Sequence, residues 1–351
     1  MLTMEFLRQQ CETYPRLQPE DLLKGLHQSV FGCGHFVGEQ AEGYLQKELE
    51  SLENSAGPEV EPLLGDFCRV HLRYLEKYAL TSKTLFRLFW LSAVEPAGNA
   101  EQIEEKLEVL LRMASAQQLP MTYGEVRSLV EEWRKAGYPA CHHSEQFRAA
   151  YKPAYRVIRK EYARFLPLFA TIDRKLAAGQ KVLLAIEGGA AAGKSTLAQL
   201  LNHVYDCSVA HMDDFFLRPE QRTAQRLEEA GGNVDRERFL QEVLLPLSRG
   251  EAVSYRRYNC ATGTIEQPKP LHATPLTVVE GAYSMHPELR EKYDLSVFLK
   301  VSPELQRRRI RGRNSPEMQQ RFFETWIPME RRYFEVLQVE DACDLVFAIG
   351  G

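Results

Sequence analysis

The sequence predicts an all-helical domain followed by an α/β domain with a doubly wound parallel sheet. In the first part of the chain, apolar residues such as Ile103, Leu107 and Leu110 recur at helical spacing. From Lys181 onward, short apolar runs alternate with helical stretches, which is the pattern of βαβ units. A length of 351 residues suits two domains better than one. We therefore expect a helical domain of unassigned role over 1–160 and an α/β domain over 161–351.

Individual elements of both domains can be placed from local signals. In the first domain, the capping box Thr122-x-x-Glu125 precedes one helix, Pro19 opens another, and the run 153–178 reads as helical. No β-run is recognisable there. In the second domain, the predicted strands are Val182–Ile186, Ser208–Met212, Leu276–Val279, Leu295–Val301 and Leu345–Ile349.

Composition excludes several classes of protein. A formal net charge of −4 lacks the basic balance that attracts nucleic acid or anionic lipid. The most apolar segment, 85–94, is interrupted by Arg87 and falls short of the roughly 20 residues that span a bilayer. Seven cysteines without a CxxC pair do not form a recognisable disulfide framework. We expect a cytoplasmic protein with reduced thiols and with neither nucleic acid nor membrane as a partner.

The string Gly188-Gly189-Ala190-Ala191-Ala192-Gly193-Lys194-Ser195 fits GxxxxGK[ST], the phosphate-binding loop (P-loop), between an apolar strand and a helical run. Small residues let the backbone wrap a phosphate chain, and the following helix directs its N–H groups at it. This setting predicts an ATP site in which Lys194 bridges the β- and γ-phosphates and Ser195 binds Mg²⁺. The residues expected to contact ATP are Gly188, Gly189, Ala190, Ala191, Ala192, Gly193, Lys194, Ser195 and Thr196.

Further residues favour a kinase among the P-loop proteins. The chain contains neither an NKxD guanine-reading motif nor an LSGGQ-type transporter signature. After the second strand it carries Asp213 and Asp214, and an acid at such a strand end faces the γ-phosphate crevice. An Asp there can accept the proton of an attacking hydroxyl. Two acids that merely end a strand in a solvated loop are the alternative.

Four segments from Lys181 to Gly351 resemble the uridine kinase and phosphoribulokinase group. Met212-Asp213-Asp214-Phe215-Phe216 is similar to the segment that carries the family's catalytic base, which implies that role for Asp213. The segment 233–239 resembles the family's ribose-binding segment and implies that Asp235 holds substrate hydroxyls. Val278-Val279-Glu280-Gly281 resembles a strand end whose acid, here Glu280, supports Mg²⁺.

The fourth segment is arginine-rich and resembles the beginning of the family's lid. Five arginines lie between Arg307 and Arg313, and planar donors suit the charge of a transferred phosphoryl group. We select Arg308 and Arg311, one helical turn apart, although a solvated basic face would also explain part of the cluster.

Two departures from the family concern the substrate. Gly263 stands where uridine kinases place a base-reading His after their aromatic residue, here Tyr258, and Gly312-Arg313-Asn314 replaces the Glu-Arg-Gly-Arg lid segment. Arg256 and Arg257 add positive charge just before Tyr258. The resemblance thus implies an ATP- and Mg²⁺-dependent kinase of a small hydroxyl-bearing acceptor, a nucleoside or another ribose-like polyol, with Asp235 and Tyr258 on the acceptor side. Arg256 and Arg257 are further acceptor-side candidates because of their charge, which an acceptor with an anionic group would use.

One other function remains open from the sequence: a P-loop ATPase or nucleotide switch would act through the helical domain on a protein partner. A scaffold that binds ATP without chemistry is disfavoured, because Lys194, Asp213 and Glu280 are present together.

Five of the nine histidines precede residue 150, and three lie near cysteines, as His35, His71 and His143 do. Their spacing is not that of a standard zinc site, so packing between helices is the simpler interpretation. A second small-molecule pocket is a further hypothesis, because His143-Ser144 and Tyr151–Arg156 supply aromatic and cationic groups for an anion.

Overall fold

The computed structural model of the chain describes residues 2–33, 41–52, 58–94 and 98–350. The chain divides into two units, Met1–Arg174 and Lys175–Gly351. The division falls later than the predicted one at residue 160, although it lies within the stretch that leads into the α/β region. His35 is outside the described residues. No helix among the described residues is both long and apolar enough to cross a membrane.

Helices supply most of the first unit. They are α1 (Thr3–Thr13), α2 (Pro19–Phe31), α3 (Ala41–Glu50), α4 (Arg73–Tyr78), α5 (Ser82–Val94), α6 (Ala100–Ser115), α7 (Tyr123–Lys135), α8 (Glu145–Tyr151), α9 (Lys160–Ala163) and α10 (Leu166–Ala177), the last of which extends past Arg174. The predicted capping box is present, since the Thr122 hydroxyl accepts from the amide of Glu125 and the Glu125 carboxylate accepts from the amide of Thr122. Pro19 lies at the first turn of α2, also as predicted.

The first unit also contains a sheet, which corrects the all-helical prediction. Strands β1 (Val60–Pro62), β2 (Phe67–His71) and β3 (Tyr155–Arg159) pair antiparallel in the order β1-β2-β3. Every residue of β2 is buried, Arg69 and His71 included, so the alternation of apolar and polar residues that marks a half-buried strand is missing. The helical interpretation of 153–178 is also wrong over β3, which is a strand paired with β2.

The second unit is built on a parallel sheet. Its strands are β4 (Val182–Gly188), β5 (Ser208–His211), β10 (Leu276–Glu280), β11 (Leu295–Val301) and β12 (Leu345–Ile349). They lie in the order β12-β11-β4-β10-β5, and each adjacent pair is parallel. The five predicted strands therefore form, within one or two residues at their ends, one sheet of the predicted doubly wound type. Since the strands are parallel, their carboxyl ends share one edge.

Helices and short ribbons complete the second unit. The helices are α11 (Lys194–Tyr205), α12 (Ala224–Glu228), α13 (Arg236–Phe239), α14 (Leu245–Ser248), α15 (Pro287–Arg290), α16 (Pro303–Arg313), α17 (Pro316–Arg321) and α18 (Ile327–Val336). The ribbons pair β6 (Val253–Tyr255) with β9 (Lys269–Leu271) and β7 (Tyr258–Asn259) with β8 (Thr264–Ile265). A π-helical turn joins α13 to α14 and another joins α17 to α18, just before Pro246 and Pro328, whose missing N–H groups loosen the helical hydrogen bonding.

Candidate active site

The P-loop connects the central strand β4 to α11. Gly188 has φ +146°, and a Cβ on it would lie 2.6 Å from the carbonyl oxygen of Leu299 in β11. Gly193, directly before α11, has φ +103°. Only glycine adopts both conformations without strain, so these two positions fix the close approach of the loop to its sheet. The predicted strand–loop–helix setting is present.

Two polar groups of the P-loop, the Lys194 ammonium and the Ala190 amide, form hydrogen bonds within the protein. The Lys194 ammonium donates to the carbonyl oxygens of Gly188 and Gly189, at 2.8 and 3.0 Å. The amide of Ala190 donates to Glu330 Oε2 at 2.8 Å. Burial raises the pKa of the Glu330 carboxyl, while the positive charge of Lys194 opposes that rise. One donor of the loop is therefore occupied by a carboxylate of α18.

Ser195, Glu280 and His211 meet at the carboxyl edge of the sheet. The Ser195 hydroxyl donates to Glu280 Oε1 at 3.1 Å, and His211 Nδ1 lies 2.6 Å from the same oxygen. Burial acts to raise the pKa of Glu280, but the hydrogen bond and charge of His211 outweigh it and hold this pKa below its ordinary value. The same hydrogen bond raises the pKa of His211. A hydroxyl beside an ionised carboxylate at the start of α11 is a donor set that suits Mg²⁺.

Asp213 and Asp214 lie on one turn after β5 but differ in their surroundings. The Asp213 residue is exposed to solvent and has no hydrogen-bond partner among the described residues. Partial desolvation of its carboxyl by neighbouring groups and the negative charge of Glu280 raise its pKa, against the attraction of Lys194. Asp214 is buried instead, where it accepts from the Tyr255 hydroxyl at 3.0 Å and pairs with Arg257 at 3.2 Å. Both carboxylate oxygens of Asp214 thus have protein partners, and the role of Asp213 as the base stays a prediction.

Asp235 is buried at the beginning of α13. Its Oδ1 accepts from the amide of Arg238 at 3.2 Å as a helix cap, and its Oδ2 accepts from Gln221 Nε2 at 2.8 Å. The guanidinium of Arg238 lies 3.5 Å from Oδ2. Both carboxylate oxygens therefore have protein partners, and the predicted contact with substrate hydroxyls would require Gln221 to move. This role stays a prediction.

The other acceptor-side residues lie around the β7–β8 ribbon. Tyr258 is buried in β7, and Gly263 has φ +69° in the turn that leads to β8. Arg256 pairs with Glu242 at 3.0 Å, while Arg257 pairs with Asp214. Both arginines are about half exposed, at 50% and 56%. They remain candidates for contact with an acceptor.

The arginine cluster occupies α16. Arg309 touches the P-loop, because its Nη1 donates to the carbonyl oxygen of Ala191 at 2.8 Å. Gln306, one turn earlier, donates to the carbonyl oxygen of Ala190 at 2.9 Å. The predicted pair, Arg308 and Arg311, is exposed to solvent on this helix and forms no ion pair with any described residue. Their contact with phosphate stays a prediction, and Arg309 is a residue that the sequence argument missed.

Two buried acids near the P-loop were also missed. Glu187, the residue before Gly188, is 0% exposed and accepts from the amides of Gly188 and Met285 and from the Tyr333 hydroxyl, at 2.8, 3.1 and 3.1 Å. Burial raises its pKa to about 7. An acid at the end of an otherwise apolar strand was the available signal for Glu187. Glu330 had no such signal, since its contact with the P-loop spans 140 positions of sequence.

The histidines of the first unit have separate surroundings. His143 bonds Asp21 and Tyr155, both at 2.7 Å, and His71 lies buried 3.7 Å from Glu61. Within the described residues, no group of three or more His, Cys, Asp or Glu side chains could hold a metal ion. All seven cysteines are free thiols.

The second unit has the α/β fold of P-loop kinases. Its parallel sheet carries the P-loop on the central strand, with Glu280 at the end of the adjacent strand β10 and Asp213 just after β5.

No family model matches the sequence, and no curated protein matches it. A possible uridine kinase from Bacillus stearothermophilus matches with 21% identity and a TM-score of 0.39, over 52% of this chain and 100% of that one. A protein provisionally described as a fructose transport system kinase, from Silicibacter sp. TM1040, matches with 21% identity and a TM-score of 0.40, over 48% and 90%. Shikimate kinase from Bacteroides thetaiotaomicron matches with 14% identity and a TM-score of 0.28, over 48% and 86%. These similarities are weak and concern about half of the chain, so they do not identify a substrate.

Proposed function

We propose that the chain is an ATP-dependent phosphotransferase that transfers the γ-phosphate to a hydroxyl of a small metabolite, a nucleoside or another ribose-like polyol. The observation that carries the proposal is the position of Asp213. Its carboxylate is accessible and without a hydrogen-bond partner among the described residues, and it lies within the electrostatic influence of both Lys194 and Glu280. A P-loop that only binds nucleotide has no need of such a base, whereas transfer to an alcohol does.

Each residue of the site has a role in this proposal. Asp213 accepts the proton of the acceptor hydroxyl, and its raised pKa makes it a stronger base than an ordinary Asp. Lys194 would leave the loop carbonyls to pair with the β- and γ-phosphates, and Ser195 and Glu280 would hold Mg²⁺, which would neutralise phosphate charge. His211 keeps Glu280 ionised through their hydrogen bond. Arg308 and Arg311 close over the phosphates, and Asp235 orients the acceptor.

The test is ADP formation by the full chain with Mg²⁺ and ATP across nucleosides, pantothenate, sugars and sugar phosphates. We expect turnover that depends on one class of hydroxyl acceptor and is absent in a Lys194→Ala variant. ADP formation at the same rate without any acceptor would contradict the proposal and favour an ATPase or nucleotide switch. ATP binding without ADP formation under any condition would contradict it in favour of a scaffold.

A further inference from the structure

The loop that joins β10 to α15, residues 281–286, lies between the P-loop and the turn that carries Asp213. Strand β10 pairs with β4 on one side and with β5 on the other, and Glu280 at its end is level with Ile186 and His211. The P-loop follows β4 and Asp213 follows β5, and parallel strands release their loops at the same edge of the sheet. The loop after β10 therefore has the nucleotide site on one side and the proposed base on the other.

Contacts hold this loop to both of its neighbours. Gly281 has φ +145°, and a Cβ on it would lie 2.6 Å from the Cβ of Met212, the residue before Asp213. Only glycine permits so close an approach, so the loop is packed directly on the turn that carries the base. On the other side, the amide of Met285 donates to Glu187 Oε2 at 3.1 Å, and Glu187 is the residue before the P-loop. The loop is thus fixed near both of its ends.

Tyr283, in the middle of the loop, has a strained backbone. Its φ is +76°, a conformation that is sterically unfavourable for a residue with a large side chain. The side chain is 3% exposed, and the centroid of its ring lies 4.9 Å from that of Tyr333 in α18. The hydroxyl of the next residue, Ser284, donates to Glu187 Oε2 at 3.4 Å. Backbone strain of this kind persists where surrounding contacts enforce it, as they do here, and it is concentrated at functional sites.

The hydroxyl of Tyr283 is a neutral donor in the electrostatic field of two acids of the site. Burial raises the pKa of Tyr283, and the negative charges of Glu330 and Asp213 raise it further. Hydrogen bonding by the Asn233 side chain opposes this rise without cancelling it. The phenol therefore keeps its proton at neutral pH and can donate it. Glu330 and Asp213 act on this hydroxyl through their charge and not through a hydrogen bond.

The two acids locate the hydroxyl relative to the reaction. Glu330 accepts from the amide of Ala190 in the P-loop at 2.8 Å, and Asp213 is the proposed base. In phosphoryl transfer the γ-phosphate passes from the nucleotide at the P-loop to the hydroxyl that the base holds. A donor within the influence of both acids therefore lies beside the path of the transferred group.

We propose that the Tyr283 hydroxyl donates a hydrogen bond to the γ-phosphate of a nucleotide bound at the P-loop, and that Tyr283 is a further catalytic residue. The inference rests on the proposed function, because it requires ATP at this site. The bond from the γ-phosphorus to the bridging oxygen breaks as the acceptor oxygen bonds the phosphorus, while Asp213 takes the acceptor's proton and Tyr283 keeps its own. A donor fixed in advance stabilises the charge of the transferred group without having to reorganise.

The test compares the affinities of two nucleotides that differ in the γ-phosphate. Calorimetry with the full chain and Mg²⁺ gives the Kd of ADP and of the β,γ-imido analogue of ATP, in the parent and in Tyr283→Phe. The variant should bind the analogue about 10- to 100-fold more weakly, the usual effect of losing a hydrogen bond to a charged group. Its Kd for ADP should stay unchanged, because ADP has no γ-phosphate.

Tyr293→Phe is the matched control. The hydroxyl of Tyr293, in the same unit, is buried and has no hydrogen-bond partner among the described residues, so its removal should leave both Kd values unchanged. Phenylalanine at position 283 keeps the ring that packs on Tyr333, and circular dichroism and the thermal midpoint check that both variants fold.

Three results would overturn the proposal. Tyr283→Phe binds the analogue as tightly as the parent does, it loses affinity for ADP and for the analogue equally, or Tyr293→Phe shows the same loss. The binding measurement needs neither an acceptor nor turnover. A chain that forms ADP without any acceptor would contradict the proposed function and still show whether Tyr283 contacts the γ-phosphate, so the two failures are distinguishable.

Discussion

Glu330 accepts a hydrogen bond from the backbone N–H of Ala190 at 2.8 Å, so a carboxylate already occupies one donor of the P-loop. A P-loop binds phosphate through such backbone N–H groups. The Glu330 side chain is buried, and its charge is screened little by solvent. Its negative charge therefore opposes an incoming triphosphate.

We predict that Glu330→Gln tightens ATP binding about tenfold, because the amide oxygen can still accept from Ala190 while the negative charge is gone. Calorimetric Kd values for ATP measure the effect. Glu335→Gln, at an exposed position of the same helix α18, is the control and should leave the Kd unchanged. Equal or weaker ATP binding by Glu330→Gln would show that this carboxylate supports the loop more than it repels phosphate.

Lys194→Ala should abolish ADP formation and weaken ATP binding. The substitution removes the positive charge that would pair with the β- and γ-phosphates and leaves the backbone cradle with Gly188 and Gly193 intact. In the structure the Lys194 ammonium donates only to carbonyl oxygens of the P-loop. The fold should therefore survive the substitution, and circular dichroism checks this. A variant with unchanged turnover would refute the proposed kinase.

Asp213→Asn and Asp214→Asn should separate chemistry from structure. Asp213→Asn should spare ATP affinity and lower kcat on the order of 10²- to 10⁴-fold, the usual contribution of a general base. Asp214→Asn should retain most turnover but destabilise the fold by about 1–3 kcal/mol, because Arg257 loses its ion pair and Tyr255 its charged acceptor. If kcat falls only in Asp214→Asn, the general base is Asp214 and not Asp213.

The same base predicts a pH dependence. Because desolvation and Glu280 raise the pKa of Asp213, kcat/KM should fall on the acid side at a higher pH than an ordinary Asp, with its pKa near 4, would produce. If kcat/KM stays constant down to about pH 4, the reaction does not depend on a general base with a raised pKa at Asp213.

The strands and the P-loop of the second unit could be predicted from the sequence because each is indicated by residues within it or next to it. An apolar run flanked by loop residues indicates each of the strands β4, β5, β10, β11 and β12. The P-loop motif lies directly between a strand and a helix that can both be recognised in the sequence. The prediction that Asp213 is the base rests on its position after β5, and the structure adds that Asp214 contacts the distant Tyr255 and Arg257.

What the sequence did not predict depends on contacts between remote segments. Arg69 and His71 of β2 are buried because Glu61 on β1 and Gln28 on α2 supply polar partners. No pattern within β2 itself indicates that these partners exist. The arginines of α16 give a similar example, although the roles of Arg308 and Arg311 stay predictions. Arg309 reaches the P-loop because of how α16 packs against it, and the spacing within the cluster does not reveal which arginine faces the loop.

Glu187 predicts an unusual pH dependence of stability. Its pKa in the folded chain is about 7, against an ordinary value of about 4.3 for an unfolded chain. Below the pKa of the unfolded chain, the Glu187 carboxyl is protonated in both the folded and the unfolded state. Between that pKa and pH 7 the folded chain keeps the proton while the unfolded chain loses it, so the free energy of unfolding falls as pH rises. The loss is on the order of 3–4 kcal/mol, at about 1.4 kcal/mol for each unit of difference between the two pKa values, and is nearly complete by about pH 8.

Unfolding by urea at several pH values, followed in the parent and in Glu187→Gln, measures this effect. The variant cannot ionise, so its free energy of unfolding should change less between pH 5 and pH 8 than that of the parent. Parallel pH dependence in the two proteins would show that the three donors named above, together with the Ser284 hydroxyl at 3.4 Å, keep this carboxylate ionised despite its burial.

The last prediction concerns the acceptor and rests on the charge around Asp213. Arg257 pairs with Asp214, the neighbour of the base, yet its side chain is 56% exposed, and Arg256 is 50% exposed beside Glu242. Gly263 forms a turn in the β7–β8 ribbon where the resemblance would place a base-reading His. The acceptor side thus has cations available to an anionic group and lacks one group that would read a pyrimidine.

We therefore expect weak discrimination between uridine and cytidine and higher kcat/KM for polyols that carry a phosphate or carboxylate. Arg256→Ala or Arg257→Ala should lower kcat/KM for such anionic acceptors by about tenfold or more while leaving the neutral nucleosides nearly unaffected, since the lost interaction is a charge-assisted hydrogen bond. Arg249→Ala is the matched control, because Arg249 is 63% exposed and lies next to a glutamate, Glu251, in the same unit. If uridine is preferred by roughly several hundredfold over every other acceptor and neither variant changes that preference, pyrimidine recognition is retained without the His, and the two arginines have no part in binding the acceptor.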